Sequence, residues 1–211
     1  MDDRAIQDSK SQAANHLLTD VLHMHRLCIM LLANQLGAFA VLLADTLESA
    51  YGALSPSAAS LLLTLYYTPN ATATALAKVA GISQPTAVRV LDGLVRQGLI
   101  ERKSHTGRTT LLRVTRAGRA RAVSLQVARL DAMDKILSGL NRQERATFER
   151  ILERILVAKT TSRAFARTVC RLCDHRACDG PLCPIGSRAS EIEQGVGISN
   201  PGGQHVDSAR R

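Results

Sequence analysis

The sequence predicts a mainly α-helical protein with a small β-hairpin wing: a winged helix-turn-helix flanked by N- and C-terminal dimerisation helices. Three observations predict it. Apolar residues recur at helical spacing through most of the chain. Gly81 separates two short helical patterns, Thr74–Ala80 and the run after Ser83, and can take the positive φ that a tight turn needs. Gly98 then stops the second pattern, and Leu99–Lys103 and Thr109–Val114 read as two strands around a Ser-His-Thr-Gly turn. Helix, turn, helix and basic hairpin in that order make a winged helix-turn-helix.

Residues 1–11 are polar and are expected to be a flexible N-terminus. From Gln12 to about Tyr51, Leu17, Val21, Met24, Leu27 and Leu31 are followed by Gln35, Phe39, Leu42, Leu43, Thr46 and Leu47. That pattern is too apolar for a helix with one solvated side, so residues 12–54 are assigned to N-terminal dimerisation helices, with Gly37 marking a bend or boundary. Leu27–Ala44 has about the minimum length for a bilayer span. Asn34 and Gln35 interrupt it, and a helix buried between subunits accounts for it better. The acidic, polar start MDDRAIQDSK is no secretory signal, so a cytoplasmic protein with no membrane partner is expected.

Residues 55–118 are assigned to the winged helix-turn-helix. Ser55 is placed to cap a helix over Ser57–Tyr67, with Pro56 at its first position, and Leu61, Leu62 and Leu65 are expected to pack against the helix-turn-helix. Thr68-Pro69-Asn70 is a turn. Within the second helix of the motif, Ser83 caps, Pro85 loses nothing by lacking an N–H, and Val88, Leu91, Leu94 and Val95 face the core. Residues 119–168 are assigned to C-terminal dimerisation helices. Thr115 caps the first, which carries Leu125, Ala128, Leu130, Met133 and Leu137 and stops at Ser138-Gly139. Asn141 and Glu144 form a capping box for the next, whose Phe148, Ile151, Leu152, Ile155 and Leu156 need a facing helix. Thr160–Thr168 is expected to prolong it, 169–185 to form a cysteine-rich metal-binding segment, and 186–211 a disordered tail.

The formal charge of +9, from 27 Lys and Arg against 18 Asp and Glu, favours a polyanionic partner. The charge clusters on the motif, at Arg89, Arg96, Arg102, Lys103, Arg108 and Arg113. A helix-turn-helix lays its second helix in the major groove, and Ser83, Gln84, Thr86 and Arg89 fall on the side away from the core. Gln84 suits adenine, Arg89 guanine or a phosphate, and Thr86 a thymine methyl or a phosphate. Arg108 at the wing tip has the reach for the minor groove, and Arg102 and Lys103 would neutralise phosphates. The expected partner is double-stranded DNA, bound by a homodimer at a pseudo-palindromic operator.

The run ISQPTAVRVLDGLVRQGLIER, Arg108 at the wing tip and the closing LLRVTRAG resemble the multiple-antibiotic-resistance (MarR) family of transcription regulators. More loosely, the resemblance extends from about Leu31 to Lys159. It implies a dimer joined through terminal helices, a regulator that is expected to repress, and a possible small-molecule effector, although no residue identifies one. The wing departs from the family: an Asp commonly precedes the wing arginine there, whereas Thr106 and Gly107 stand here. The hydroperoxide-sensing branch carries a reactive N-terminal cysteine. Cys28, between Leu27 and Ile29-Met30, is expected instead to be a plain buried thiol.

Cys170, Cys173, Cys178 and Cys183 are spaced x2, x4, x4, and in a cytosolic chain such a cluster points to metal or redox chemistry. Four thiolates suit one tetrahedral Zn²⁺. The spacing resembles a zinc knuckle with cysteine in place of its histidine, although Ala177 stands where knuckles place a glycine. The closing Cys183-Pro184 equally resembles loops that hold an iron–sulfur cluster. The cluster is preferred to zinc because a regulator gains an iron or redox signal from it. Arg171 and Arg176 would offset the thiolate charge, and His175 would stay outside the ligand shell. There is no phosphate loop, dinucleotide fingerprint or nucleophile–base signature, so no enzyme is expected. The alternative function is a winged-helix protein-interaction module with a structural zinc.

Overall fold

The structure, a computed structural model, describes residues 28–104, 110–178 and 182–195. The chain divides into two units, one ending at Ser49 and the other beginning at Ala50. The expected flexible N-terminus and the first part of the N-terminal helices lie outside the described residues.

Helix α1 runs Cys28–Tyr51 without interruption. Gly37 therefore marks no boundary. A single glycine costs a helix interior only about 1 kcal/mol, which the surrounding good helix formers override. Ile29, Met30, Leu31, Leu32, Leu36 and Val41 are exposed along it. Cys28, expected to be buried, is exposed as well. With 24 residues and a mean hydropathy of 1.7, α1 is long and apolar enough to cross a membrane. A helix covered by a second subunit has the same profile.

The second unit is built around α2, Pro56–Tyr67. Ser55 stays extended and its hydroxyl accepts from the Ala58 N–H at 3.2 Å, while Pro56 sits in the first turn. Leu61, Leu62, Leu63 and Leu65 are fully buried, so this helix has almost no solvated side. Each such leucine contributes about 1.5–3 kcal/mol of burial. Helix α3, Ala73–Ala80, is capped by Thr72 and ends at Gly81, whose φ of 68° is the left-handed value expected of the turn. Helix α4, Gln84–Arg96, follows with Ser83 as its cap. Its seam is Ala87, Leu91 and Leu94, with Val88 and Val95 only half-buried on its flank. The four-residue and three-residue steps of the helix put Ala87, which sequence patterning passed over for its size, in line with the two leucines.

Strands β1 (Ile100–Ser104) and β2 (Thr110–Val114) pair antiparallel, with Ile100 opposite Val114 and Ser104 opposite Thr110. The other edge of β2 is occupied too: Leu112 accepts from the Asn70 N–H at 3.1 Å and donates to the Ala71 carbonyl at 3.3 Å. Strand β1 begins one residue later than the apolar pattern indicates, and the wing tip, with Arg108, lies outside the described residues. Thr115 then caps α5, Arg116–Ile136, accepting from the Gly118 N–H at 3.0 Å and donating to the Gly98 carbonyl at 2.6 Å.

Helix α6, Arg142–Lys159, opens with the full Asn141–Glu144 capping box, its two bonds at 3.0 and 2.8 Å. It has no buried residue, and Ile151, Leu152 and Ile155 are exposed. The expected prolongation through Thr168 does not occur. Thr160 turns extended and bonds back to the Leu156 carbonyl, and Ser162 caps a new helix, α7, Arg163–Val169. Three successive hydroxyl side chains compete with the helix for its own backbone groups there. Nor is 186 onward wholly a tail. Cys183 and Pro184 start α8, Pro184–Glu193, and Ile185 and Ala189 are buried. Arg163 holds α8 through Ser190 at 2.6 Å and Glu193 at 2.9 Å. The rest of the expected tail lies outside the described residues.

Candidate nucleic-acid interface and cysteine centre

The N-terminal half of α4 turns Gln84 and Arg89 to solvent, with Ser83 exposed beside them and Thr86 half-buried. Ser83 and Thr86 are occupied with the helix start. Their hydroxyls lie 2.8 Å apart, and the Ser83 oxygen accepts from the Thr86 N–H at 3.3 Å. Gln84 and Arg89 are thus the side chains left to reach outward from this end. Arg96, the last residue of α4, and Lys103 and Arg113 on the strands are exposed as well. Arg102 differs from the expectation of a side chain committed to phosphates, because it pairs with Asp92 of α4. The pair ties the wing to the helix and offsets part of the arginine's charge. Asp92 gave no signal in the sequence because the pairing depends on the angle at which β1 leaves α4.

Around the four downstream cysteines a second small core forms. Cys170 and Cys183 are buried in it with Ala166, Ile185 and Ala189, and Cys173, Cys178 and Leu156 pack against it. All four cysteines stand as thiols and line one cavity of about 1220 Å³, which Tyr67, Leu76 and Val79 of the helix-turn-helix also line. Cys183 caps α8, its sulfur accepting from the Gly186 N–H at 3.2 Å. Cys170 and Cys173 share a hydrogen bond that splits their acidities. Cys170 is pushed up by that bond, by burial and by the neighbouring thiols, whereas Cys173 is pulled down by the same bond, with help from Arg129 and against its own burial.

As it stands, no group of three or more His, Cys, Asp or Glu side chains among the described residues has the spacing of a metal-ion shell. The fit of the donor set is chemical: four soft sulfur ligands facing one cavity suit Zn²⁺ or an iron–sulfur cluster better than any hard cation. Of the two expected counter-charges, Arg171 lines the cavity with the thiols and Arg176 does not. Arg176 is bound bidentately to Asp174, and Arg171 donates to the Thr168 carbonyl. Arg129 of α5, unpredicted, is the arginine whose charge acts on Cys173.

Asp174 is the other residue the sequence did not single out. Its carboxylate accepts from the Tyr67 hydroxyl at 2.9 Å and holds the Arg176 side chain and N–H. The Arg176 guanidinium pulls the Asp174 carboxyl down to about 2 despite partial burial, with the Arg176 N–H and Tyr67 assisting. Burial first, and then the bond to Asp174, pushes the Tyr67 phenol up to about 12. With its amide oxygen turned toward the donors, Gln126 of α5 accepts from the Asp174 N–H at 2.9 Å and from Arg129 at 2.8 Å. His175 lines the same cavity, its ring tilted against that of Tyr67 with centroids 5.0 Å apart.

Residues 54–107 match the model of the MarR family. That stretch contains α2, α3, α4 and β1, the parts that build the helix-turn-helix and open the wing. Solved structures share the same MarR-type fold. The chain is similar to the MarR family protein Rv2887 of Mycobacterium tuberculosis, with 23% identity and a TM-score of 0.52, over 59% of this chain and 92% of that one. It is similar to MepR, a transcription regulator of the Staphylococcus aureus multidrug efflux pump MepA, with 19% identity and a TM-score of 0.51, over 57% of this chain and 95% of that one. Rv2887 in complex with DNA gives 22% identity and a TM-score of 0.50, over 58% of this chain and 95% of that one. No curated protein sequence matches the chain significantly.

Proposed function

We propose that the chain is a cytoplasmic, dimeric transcription regulator of the MarR type, acting as a repressor. It binds a pseudo-palindromic DNA duplex, and a metal or iron–sulfur centre at Cys170, Cys173, Cys178 and Cys183 tunes that binding. The observation that carries the reading is α4: a capped helix buried along Ala87, Leu91 and Leu94, with Gln84 exposed in its first turn and Arg89 exposed on the side away from that seam, next to a basic wing. The MarR-type match over this segment, and a fold-level relative whose complex with DNA is solved, support it. The exposed apolar faces of α1 and α6 support a homodimer, since soluble monomers rarely leave such faces uncovered. The cavity beside the thiols has room for a small-molecule effector. For the centre itself, the chain supplies four sulfur donors facing one cavity, and the Cys170 bond together with the Arg129 charge favours the ionised form of Cys173.

The test is duplex binding of the full chain to its own promoter DNA across a salt series, with metal-loaded and metal-stripped protein side by side. A phosphate-dominated interface loses affinity steeply with salt, and Arg89→Ala should weaken it by roughly tenfold, as loss of one charged groove contact does. Salt-insensitive binding unchanged by that substitution would instead favour the protein-interaction module. Anaerobic purification followed by a visible spectrum and metal analysis separates an iron–sulfur cluster, which is coloured, from zinc.

A further inference from the structure

Between Cys173 and Cys178 the chain makes a tight turn, Asp174 to Cys178, in which the Asp174 carbonyl accepts from the N–H groups of Ala177 at 3.1 Å and Cys178 at 2.8 Å. Cys173 is itself folded back on Cys170, its N–H on that residue's carbonyl at 2.9 Å. The short loop is thus clamped at both ends by candidate metal ligands. Its first residue is at the same time bound to two helices of the winged helix: Asp174 takes the hydroxyl of Tyr67, the last residue of α2, and gives its N–H to Gln126 of α5. Beyond Tyr67 the chain passes through Thr68 and Asn70 to Thr72, which caps α3, and so reaches the turn before α4. Next to this connection α3 packs on α7, the helix that ends at Cys170.

We propose that the Asp174–Cys178 loop is a strut between the cysteine centre and the DNA-reading helices, with Asp174 and Tyr67 as positioning residues. This rests on the metal-tuned reading above and adds the route. Drawing Cys173 and Cys178 into one ligand shell changes the shape of a turn only four peptide links long, and Asp174 cannot follow without moving the end of α2 or losing the Tyr67 bond. Because α2 is packed on α3, α4 and α5 with fully buried leucines, its displacement is passed on as a rigid movement of the motif. Interposed between two ligands, Asp174 itself need bind no metal.

The experiment compares the full-length protein with Tyr67→Phe and Asp174→Asn, each stripped of metal, loaded with zinc alone, or reconstituted anaerobically with iron and sulfide. Three quantities are read for each form: bound metal per chain, affinity for the promoter duplex, and tyrosine emission. The protein has three tyrosines and no tryptophan, so the emission reports Tyr67 without interference from indole. The wild type should show a loaded-to-stripped affinity ratio within the roughly 5–150-fold range of allosteric couplings. Tyr67→Phe, which leaves every thiol in place, should bind the same metal while its ratio falls at least about fivefold toward one, as expected for loss of a hydrogen bond to a carboxylate. The metal-dependent change in emission should disappear with it. Asp174→Asn should reduce the ratio in the same way. Full metal binding with the wild-type ratio retained in Tyr67→Phe overturns the strut and leaves metal tuning intact. A wild-type ratio of one with metal bound overturns metal tuning itself, and the strut with it.

Discussion

Gly118 shows how much a single residue decides in this fold. It lies in the first turn of α5, where its N–H bonds to the capping Thr115 at 3.0 Å, and a Cβ there would stand 1.8 Å from the carbonyl oxygen of Leu99. The obstacle is backbone, held in place because the same carbonyl accepts the Thr115 N–H at 3.0 Å. No side chain can move aside, so Gly118→Ala has to push α5 away from the wing. The expected loss is about 3 kcal/mol, at the upper end for overpacked sites, read as a lowered denaturation midpoint. An unchanged midpoint would mean that α5 and Leu99 are not in this close approach. In the sequence Gly118 is visible only as the last letter of LLRVTRAG, and its reason comes from a residue nineteen positions earlier. Tyr67 and Asp174 were illegible for the same cause: their bond joins positions 107 residues apart.

At the scale of elements, what local chemistry determines was largely legible. Ser55, Thr72, Ser83, Thr115 and Asn141 each cap a helix through their own side-chain oxygen, and Gly81 has the left-handed φ of the turn. Thr72 is the exception to sequence reading, which placed that helix start one residue later, at Thr74. Helix α6 allows this kind of contribution to be measured cleanly, because none of its residues is fully buried within one chain and it depends more on its capping box. Asn141→Ala should cost about 1 kcal/mol, within the usual range for a lost N-cap, seen as faster amide exchange in the first turn of α6 and a small drop in thermal midpoint. Two elements were misread in the opposite sense. Thr160 to Ser162 breaks a pattern that apolar spacing alone would continue, and Pro184–Glu193 is a helix although its composition suggested a tail. Ile185 and Ala189 find a core there only because the cysteine loop folds back to meet them.

The whole molecule turns on surfaces that one chain leaves open. Ile151 and Ile155 of α6 are 49% and 52% exposed, so charging them should leave the monomer's own packing undisturbed. Ile151→Glu with Ile155→Glu is expected to convert a dimer to a monomer in sedimentation experiments. Affinity for a two-half-site duplex should fall by at least about a hundredfold as the linked binding of two modules is lost. A double variant that stays dimeric would remove α6 from the interface. By itself, the sequence determined the winged helix-turn-helix, its caps and glycine stops, and the basic character of the face opposite Ala87, Leu91 and Leu94. These rest on periodicity and on contacts within a few residues. Only the tertiary structure decided that Arg102 is drawn to Asp92, that the charge of Arg129 acts on Cys173, and that the cysteine loop is bound to α2 through Asp174. Each of those is a meeting of charges or hydrogen-bonding groups on separate elements. Such meetings depend on how the helices cross, which spacing along the chain does not encode.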